Sequence, residues 1–255
     1  MIPERRIFKA ADAWESQSTY DFSKIKDAFA YAGATNIQDV ESDVNGGFTM
    51  LLGNVPMHIV KTSSGSNATL QINIGPNDEY SVRCYYYSSP GQNPAVMGMV
   101  VYKGSTGIFI GTIHKTEMPI YLCLDTITNI VYAVGYIGSS SLRVAAFKYE
   151  DNVLTTDFKT IGKFSAYSDT YIPGNGYNLT EQAVIKRPSW FGTQMSTGVQ
   201  CLLSSLYTND PRNEEVVKVD NTYYISLFGT SMYDNSNLGY INKRGTGSVV
   251  FPLGQ

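Results

Sequence analysis

The sequence is short of the residues that most active sites use. Its 255 residues include two histidines, three cysteines and two tryptophans. His58 and His114 each stand alone in an apolar, strand-like run, although a Ser-His-Asp triad or a zinc site would need one or both of them. The count by itself excludes a site with three histidine ligands. We therefore expect no catalytic residue, no metal site and no cofactor, and predict that the chain is not an enzyme.

Charge is also scarce. Asp, Glu, Lys and Arg make up 16% of the chain, against about a quarter in typical globular proteins. The net charge is −3, and the densest basic groups are single pairs such as Arg5–Arg6 and Lys243–Arg244. Nucleic acid is therefore not an expected partner, because its binding proteins carry a basic stripe or patch.

Long apolar runs are missing as well. No segment approaches the ~18 apolar residues of a membrane span, and the first ten residues, MIPERRIFKA, lack the apolar core of a signal peptide. We expect a protein made in the cytoplasm, with no membrane partner. Cys84, Cys123 and Cys201 form an odd set without C-x-x-C spacing, which predicts reduced, buried thiols.

Short strand-like runs are what the chain has in abundance, together with 19 tyrosines and 23 glycines. In the stretch from Met118 to Asn152, three such runs follow one another across short polar breaks: Ile120–Leu124, Ile130–Ile137 and Leu142–Tyr149. β-Branched and aromatic runs separated by turn residues are typical of antiparallel strands. Similar runs on both sides predict a mainly β protein with an antiparallel β-sandwich or barrel-like core.

Two segments have the spacing of a helix instead. Phe22, Ile25 and Phe29 share one helical face, and Gly33 stands where that helix would end. Thr197–Gln200 matches a capping box and precedes a leucine-rich face at residues 202–206. The sequence therefore predicts an N-terminal helix and one further short helix.

The amino-acid composition also changes along the chain and divides it into segments. Residues 1–19 are polar and are predicted to be an N-terminal arm, and residues 20–155 should hold the helix and the main antiparallel β domain. Residues 156–255 form a β-rich C-terminal region that is either a second domain or part of the same one.

Acidic and aromatic side chains are the remaining candidates for a site. Adjacent acids occur at strand ends and turns, for example Asp78/Glu79 and Glu150/Asp151. Neighbours in a strand point to opposite faces, so such pairs do not supply the two facing carboxylates of a glycosidase. Trp190 and Phe191, which follow Pro188, are the candidates for exposed binding aromatics.

One stretch, Val216–Phe228, has the sequence VVKVDNTYYISLF and lies in a region rich in Tyr, Gly and Asn. This composition resembles that of the structural proteins of tailed-bacteriophage virions, of the tail, baseplate, collar and capsid-accessory type. The resemblance implies a non-catalytic building block located in the virion, with further copies of itself and other virion proteins as partners. In such a protein, Phe22, Ile25 and Phe29 would dock on the chain's own sheet or on a neighbouring subunit. The alternative is a carbohydrate-binding or carbohydrate-cleaving β-sandwich protein that uses Trp190 and the tyrosines.

Overall fold

The structure is a computed structural model that describes residues 1–10, 21–43, 46–62, 69–83, 98–113, 120–137, 141–163, 202–205, 215–219, 221–227 and 247–255. Within these ranges the chain forms one α-helix and sixteen strands. The elements are α1 (Ser23–Tyr31), β1 (Glu4–Lys9), β2 (Thr35–Asp39), β3 (Gly47–Leu52), β4 (Val55–Thr62), β5 (Thr69–Ile74), β6 (Tyr80–Arg83), β7 (Gly98–Lys103), β8 (Gly107–Ile113), β9 (Tyr121–Asp125), β10 (Ile130–Ile137), β11 (Ser141–Glu150), β12 (Val153–Lys163), β13 (Leu202–Ser205), β14 (Glu215–Val219), β15 (Thr222–Leu227) and β16 (Gly247–Gly254).

Twelve of the strands form one main sheet, with the order β1-β7-β8-β9-β10-β6-β5-β4-β3-β2 and with β11 and β12 added on β10. β10 pairs with β9 over Ile130–Val134 and with β6 at Tyr136 and Ile137, while β11 pairs along Val131–Tyr136. Since a strand has two edges, β9 and β6 follow each other along the same edge. The sheet divides at this point and folds over itself.

The fold-over makes a sandwich-like core. Apolar side chains alternate along β3, β4 and β5, and the inward set includes Phe48, Ile59 and Ile72, all fully buried. They join one cluster with inward side chains of β7–β11, such as Val101 and Leu122. Every pairing in the sheet is antiparallel. The prediction of a mainly β, antiparallel, sandwich-like fold is confirmed.

A second, four-stranded sheet with the order β13-β16-β15-β14 covers the other face of β7–β11. Ile225 and Phe251 of this sheet are buried in a cluster with Phe109, Tyr121 and Tyr132 of the main sheet. The molecule therefore has three layers: a first layer of β2–β6, a middle layer of β7–β11 and the second sheet. Because the middle layer is covered on both faces, almost every residue of β7 and β8 is buried.

The turn between β7 and β8 touches the C-terminal strand closely. The N–H of Thr106 donates to the carbonyl of Leu253 at 3.1 Å. A Cβ at Gly104 would fall on that same carbonyl oxygen, and one at Gly107 would fall on the carbonyl oxygen of Pro252. Both positions have room for glycine alone, and this contact fixes β16 against the middle layer.

Helix α1 ends where its sequence predicts. The Asp21 carboxylate accepts the N–H of Ser23 at 2.9 Å, so one of the unpaired N–H groups of the first turn is satisfied. Gly33 has φ +92°, and the N–H groups of Gly33 and Ala34 bond to carbonyls of the last turn at 3.0 and 2.9 Å. This is a Schellman motif, in which glycine takes the left-handed position at low cost. No helix among the described residues is both long and apolar enough to cross a membrane.

The further short helix is corrected by the structure. Leu202–Ser205, which the helical spacing included, form strand β13 and pair with Gly247–Val250 of β16. A helix this short is marginal in water, whereas a strand next to β16 gains a hydrogen-bonded neighbour. Thr197–Gln200, the predicted cap, lies outside the described residues.

The N-terminal arm is also corrected over Glu4–Lys9. These residues are edge strand β1, with six consecutive pairs to β7 from Glu4↔Lys103 to Lys9↔Gly98. An edge strand has one neighbour and can leave most side chains in solvent, so a polar segment fits it. Phe8 is buried within the strand, and Ala10, directly after it, is buried as well.

Candidate functional site

A row of polar side chains crosses the first layer from one strand to the next. Gln38 of β2 lies opposite Thr49 of β3, Thr49 opposite His58 of β4, His58 opposite Asn73 of β5, and Asn73 opposite Ser81 of β6. The strand neighbours of His58, Met57 and Ile59, are buried in the core. Since side chains alternate along a strand, the row belongs to the face turned away from the core.

His58 is held from both sides by carboxylates at the centre of this row. Its Nε2 lies 2.9 Å from Oδ2 of Asp43, and its Nδ1 lies 3.0 Å from Oδ2 of Asp78. Asp43 comes from the connection between β2 and β3, and Asp78 from the turn between β5 and β6. The Asn73 amide also donates to Asp78 at 3.1 Å. We call Asp43, His58 and Asp78 the histidine clasp, because they fasten two connections to β4.

The clasp favours the protonated imidazolium. Burial is the largest single influence and lowers the pKa of His58, but the hydrogen bonds and negative charges of Asp78 and Asp43 together outweigh it, so the pKa is raised overall. A carboxylate only accepts hydrogen bonds, and a histidine donates from both nitrogens only when it is charged. With both nitrogens engaged, His58 suits an electrostatic fastening better than a general base, which needs a free lone pair.

A groove of about 660 Å³ runs beside the clasp across β2–β4. Asn36 and Gln38 of β2, His58 of β4, and Asn77 and Asp78 of the β5–β6 turn are among the residues that line it. Asn36 and Asp78 both take left-handed backbone conformations, with φ of 53° and 55°. Amides and carboxylates both bond readily to hydroxyl groups, so the groove suits a polar, uncharged ligand. Within the ranges that the structure describes, no group of three His, Cys, Asp or Glu side chains is placed to hold a metal ion.

The predicted interface residues lie in the chain's own core. Ile25 and Phe29 are fully buried there, and Phe22 is half-buried with its ring 5.7 Å from that of Phe48. Helix α1 thus docks on its own sheet, which is one of the two dockings that the sequence allowed. For Ile25 and Phe29 we correct the expectation of a subunit contact, because neither has exposed surface to offer a neighbour.

The other candidates divide between buried and undescribed positions. Cys123 is buried and free, and burial, followed by the charge of Asp125, raises the pKa of its thiol. Trp190 and Phe191, the predicted exposed aromatics, lie outside the described residues, as does His114.

Sequence reasoning missed the histidine clasp because it considered acids only beside their neighbours in the chain. Asp43 and Asp78 come from two different acidic groups, and His58 lies between them in sequence. The sequence carried one signal for this site. In a β3–β4–β5 meander, β4 with His58 is the central strand, and the connections before β3 and after β5 carry Asp43 and Asp78. Comparisons of the chain with protein families, with curated proteins and with solved structures found no match.

Proposed function

We propose that the chain is a non-catalytic structural component of a phage virion, a tail, baseplate or collar building block located in the particle. It acts through contacts with further copies of itself and with other virion proteins. The observation that carries this proposal is that β1 and β2, at the two ends of the main-sheet path, each have one strand neighbour among the residues that the structure describes. An open edge presents unpaired main-chain N–H and C=O groups, which are a template for pairing with another chain.

The shape of edge strand β1 supports such a contact. Its ladder to β7 is regular over all six residues, so its outer edge is straight enough to receive another strand. Ile7 on this strand is 41% exposed, which adds apolar surface to the edge. By contrast, the β2 ladder has an irregular register between Thr35 and Gln38. Irregular edges discourage unselective pairing, so a partner of β2 has to match a particular shape.

Sedimentation velocity and negative-stain imaging of the purified chain test the assembly. We expect a discrete oligomer, a ring or a fibre. A chain that stays monomeric at its highest soluble concentration would refute self-association. The virion assignment has a separate test in the flanking genes: capsid, portal or tail genes support it, and a cluster of sugar-metabolism genes opposes it.

The groove beside the histidine clasp favours a second candidate, a carbohydrate-binding protein. Sugars present several hydroxyl groups at once, and the groove is lined by Gln38 and Asn77, whose amides both donate and accept hydrogen bonds. Isothermal titration with a panel of oligosaccharides is the test. Binding should be lost in Gln38→Ala and Asn77→Ala and retained in Lys218→Ala, on β14 of the second sheet. Equal heats of binding in all of these variants would exclude the groove as the carbohydrate-binding site.

A further inference from the structure

We infer that two copies of the chain associate by setting β1 of one copy beside β2 of the other. We call Glu4–Lys9 the basic edge and residues 35–43 the acidic edge. The inference rests on the proposed self-association and names its surface and its partner, which is a second copy of this chain. Three features support it: the charge of each edge, the position of both edges beside helix α1, and the open strands themselves.

The basic edge carries excess positive charge. It holds three cations, Arg5, Arg6 and Lys9, and one carboxylate, Glu4, for a formal charge of 3 − 1 = +2. Among the described residues none of the three cations takes part in an ion pair. Aromatic groups hold two of them in place. Arg5 donates to the hydroxyl of Tyr102 at 2.8 Å, and the Arg6 guanidinium lies 5.1 Å from the ring centre of Phe8 and also faces the ring of Tyr31. These contacts orient the guanidinium groups, and within the described ranges no carboxylate forms an ion pair with them.

The acidic edge carries the opposite sign. It holds three carboxylates, Asp39, Glu41 and Asp43, and no cation. Asp43 belongs to the histidine clasp. Asp39 pairs with Lys26 of α1 at 2.6 Å, yet its side chain is 70% exposed, and Glu41 is exposed without an ion pair in the part of the chain that the structure describes. Asp39 and Glu41 therefore remain open to a second cation.

Helix α1 brings the two edges to one side of the molecule. The helix contacts both β1 and β2, so the edges flank it although they are the two ends of the strand path. A neighbour related by a two-fold axis near α1 would then place β1 against β2 twice, as an isologous interface requires. The solvent side of the helix between the edges includes Ala30, a small residue that allows close approach. Main-chain hydrogen bonds would supply the attachment, and the charges would select the partner.

A charge-swap experiment tests the inference. One variant reverses the basic edge, Arg5→Glu with Lys9→Glu, and another reverses the acidic edge, Asp39→Lys with Glu41→Lys. Each variant alone would set like charges together and should dissociate at a concentration at least about tenfold higher than the wild type. Mixed in equal amounts, the two variants should associate as the wild type does, because every contact between unlike copies again joins opposite charges.

Lys148→Glu, a reversal on distant β11, is the matched control and should sediment as the wild type does. Circular dichroism melting shows whether each variant is folded. A monomeric wild type would refute the proposed self-association and this inference with it. A wild type that associates, with charge-reversed variants that associate equally well, would refute only the edge contact. Variants that dissociate but are not restored by mixing would also overturn it, because the charges would then not be complementary.

Discussion

The histidine clasp gives a prediction whose sign follows from its geometry. The perturbation is His58→Gln, which keeps a hydrogen-bonding side chain and removes the positive charge between Asp43 and Asp78. The folded state raises the pKa of His58, so between the unfolded and folded pKa values the native protein binds the extra proton. The clasp's contribution is therefore fully present below the unfolded histidine pKa of about 6.5 and is lost as pH rises through the raised folded value.

The size of the effect follows from how exposed each contact is. Asp43 and His58 are 17% and 19% exposed, so their charge-assisted hydrogen bond should contribute about 1.5 kcal/mol. Asp78 is 44% exposed, and its contact counts as a surface pair of about 0.5 kcal/mol. We expect His58→Gln to cost about 2 kcal/mol of unfolding free energy at low pH. Once the imidazole is neutral and has a single N–H, the cost should be less than about 1 kcal/mol.

Urea unfolding of both proteins measures this difference, at pH about 5.5, above the ordinary aspartate pKa, and at pH about 9, above the ordinary histidine pKa. The matched control is Lys26→Met, which removes the ion pair with Asp39. Because that ion pair contains no histidine, the cost of Lys26→Met should be the same at both pH values. A cost of His58→Gln that is unchanged or larger at the higher pH would refute the reasoning.

Three further outcomes concern the core. Gly107→Ala should lower the free energy of unfolding by about 2 kcal/mol or more, and with it the melting temperature, because the new methyl group falls on the carbonyl oxygen of Pro252. A melting temperature equal to that of the wild type would contradict the contact. The Cys123 thiol should resist a water-soluble alkylating reagent in the folded protein and react after unfolding, because it is buried and its pKa is raised. Peptide mapping can show which cysteine is labelled. Rapid labelling of Cys123 in the native state would place it at the surface. Phe29→Ala should lower the free energy of unfolding in urea by about 3–5 kcal/mol. Ala30→Ser, on the exposed face of the same helix, should change that free energy little. Equal costs for the two substitutions would contradict the docking of α1 on its own sheet.

The sequence predicted best where the signal is local. The strand-like run Ile130–Ile137 and the helical spacing of Ile25 and Phe29 are set by neighbours within a few residues, and both elements occur where they were expected. The end of the helix is equally local, since Gly33 acts on the adjacent turn. These features need no information about the rest of the chain.

Prediction failed where distant parts of the chain decide the structure. Leu202–Ser205 have helical spacing, but they form a strand because β16 pairs with them. Glu4–Lys9 look unsuited to a core and yet become an ordered strand next to β7, whose paired residues lie 89 to 99 positions away in the sequence. Asp43 and Asp78 meet only after three strands have paired in register. In each case a long-range pairing outweighs a weak local preference.

The doubly covered middle layer has a consequence for how its strands find their register. In a sheet with one wet face, a slip of one residue turns the apolar side chains into water, and that penalty fixes the alignment. A strand such as β8 has no wet face over most of its length. Shifting it by one residue would exchange one dry surface for another, so contact with water cannot correct the error.

Side-chain size has to enforce the alignment instead. The face toward the second sheet carries the large rings, such as Tyr102, Phe109 and Tyr121, while the face toward the first layer carries aliphatic side chains such as Ile110 and Leu122. A one-residue shift would drive rings into space shaped for aliphatic groups and leave gaps on the opposite side, and close-packed interiors tolerate neither change. Shape, rather than polarity, holds these strands in place, so conservative exchanges between rings and aliphatic side chains should disturb the middle layer more than they would disturb an ordinary sandwich.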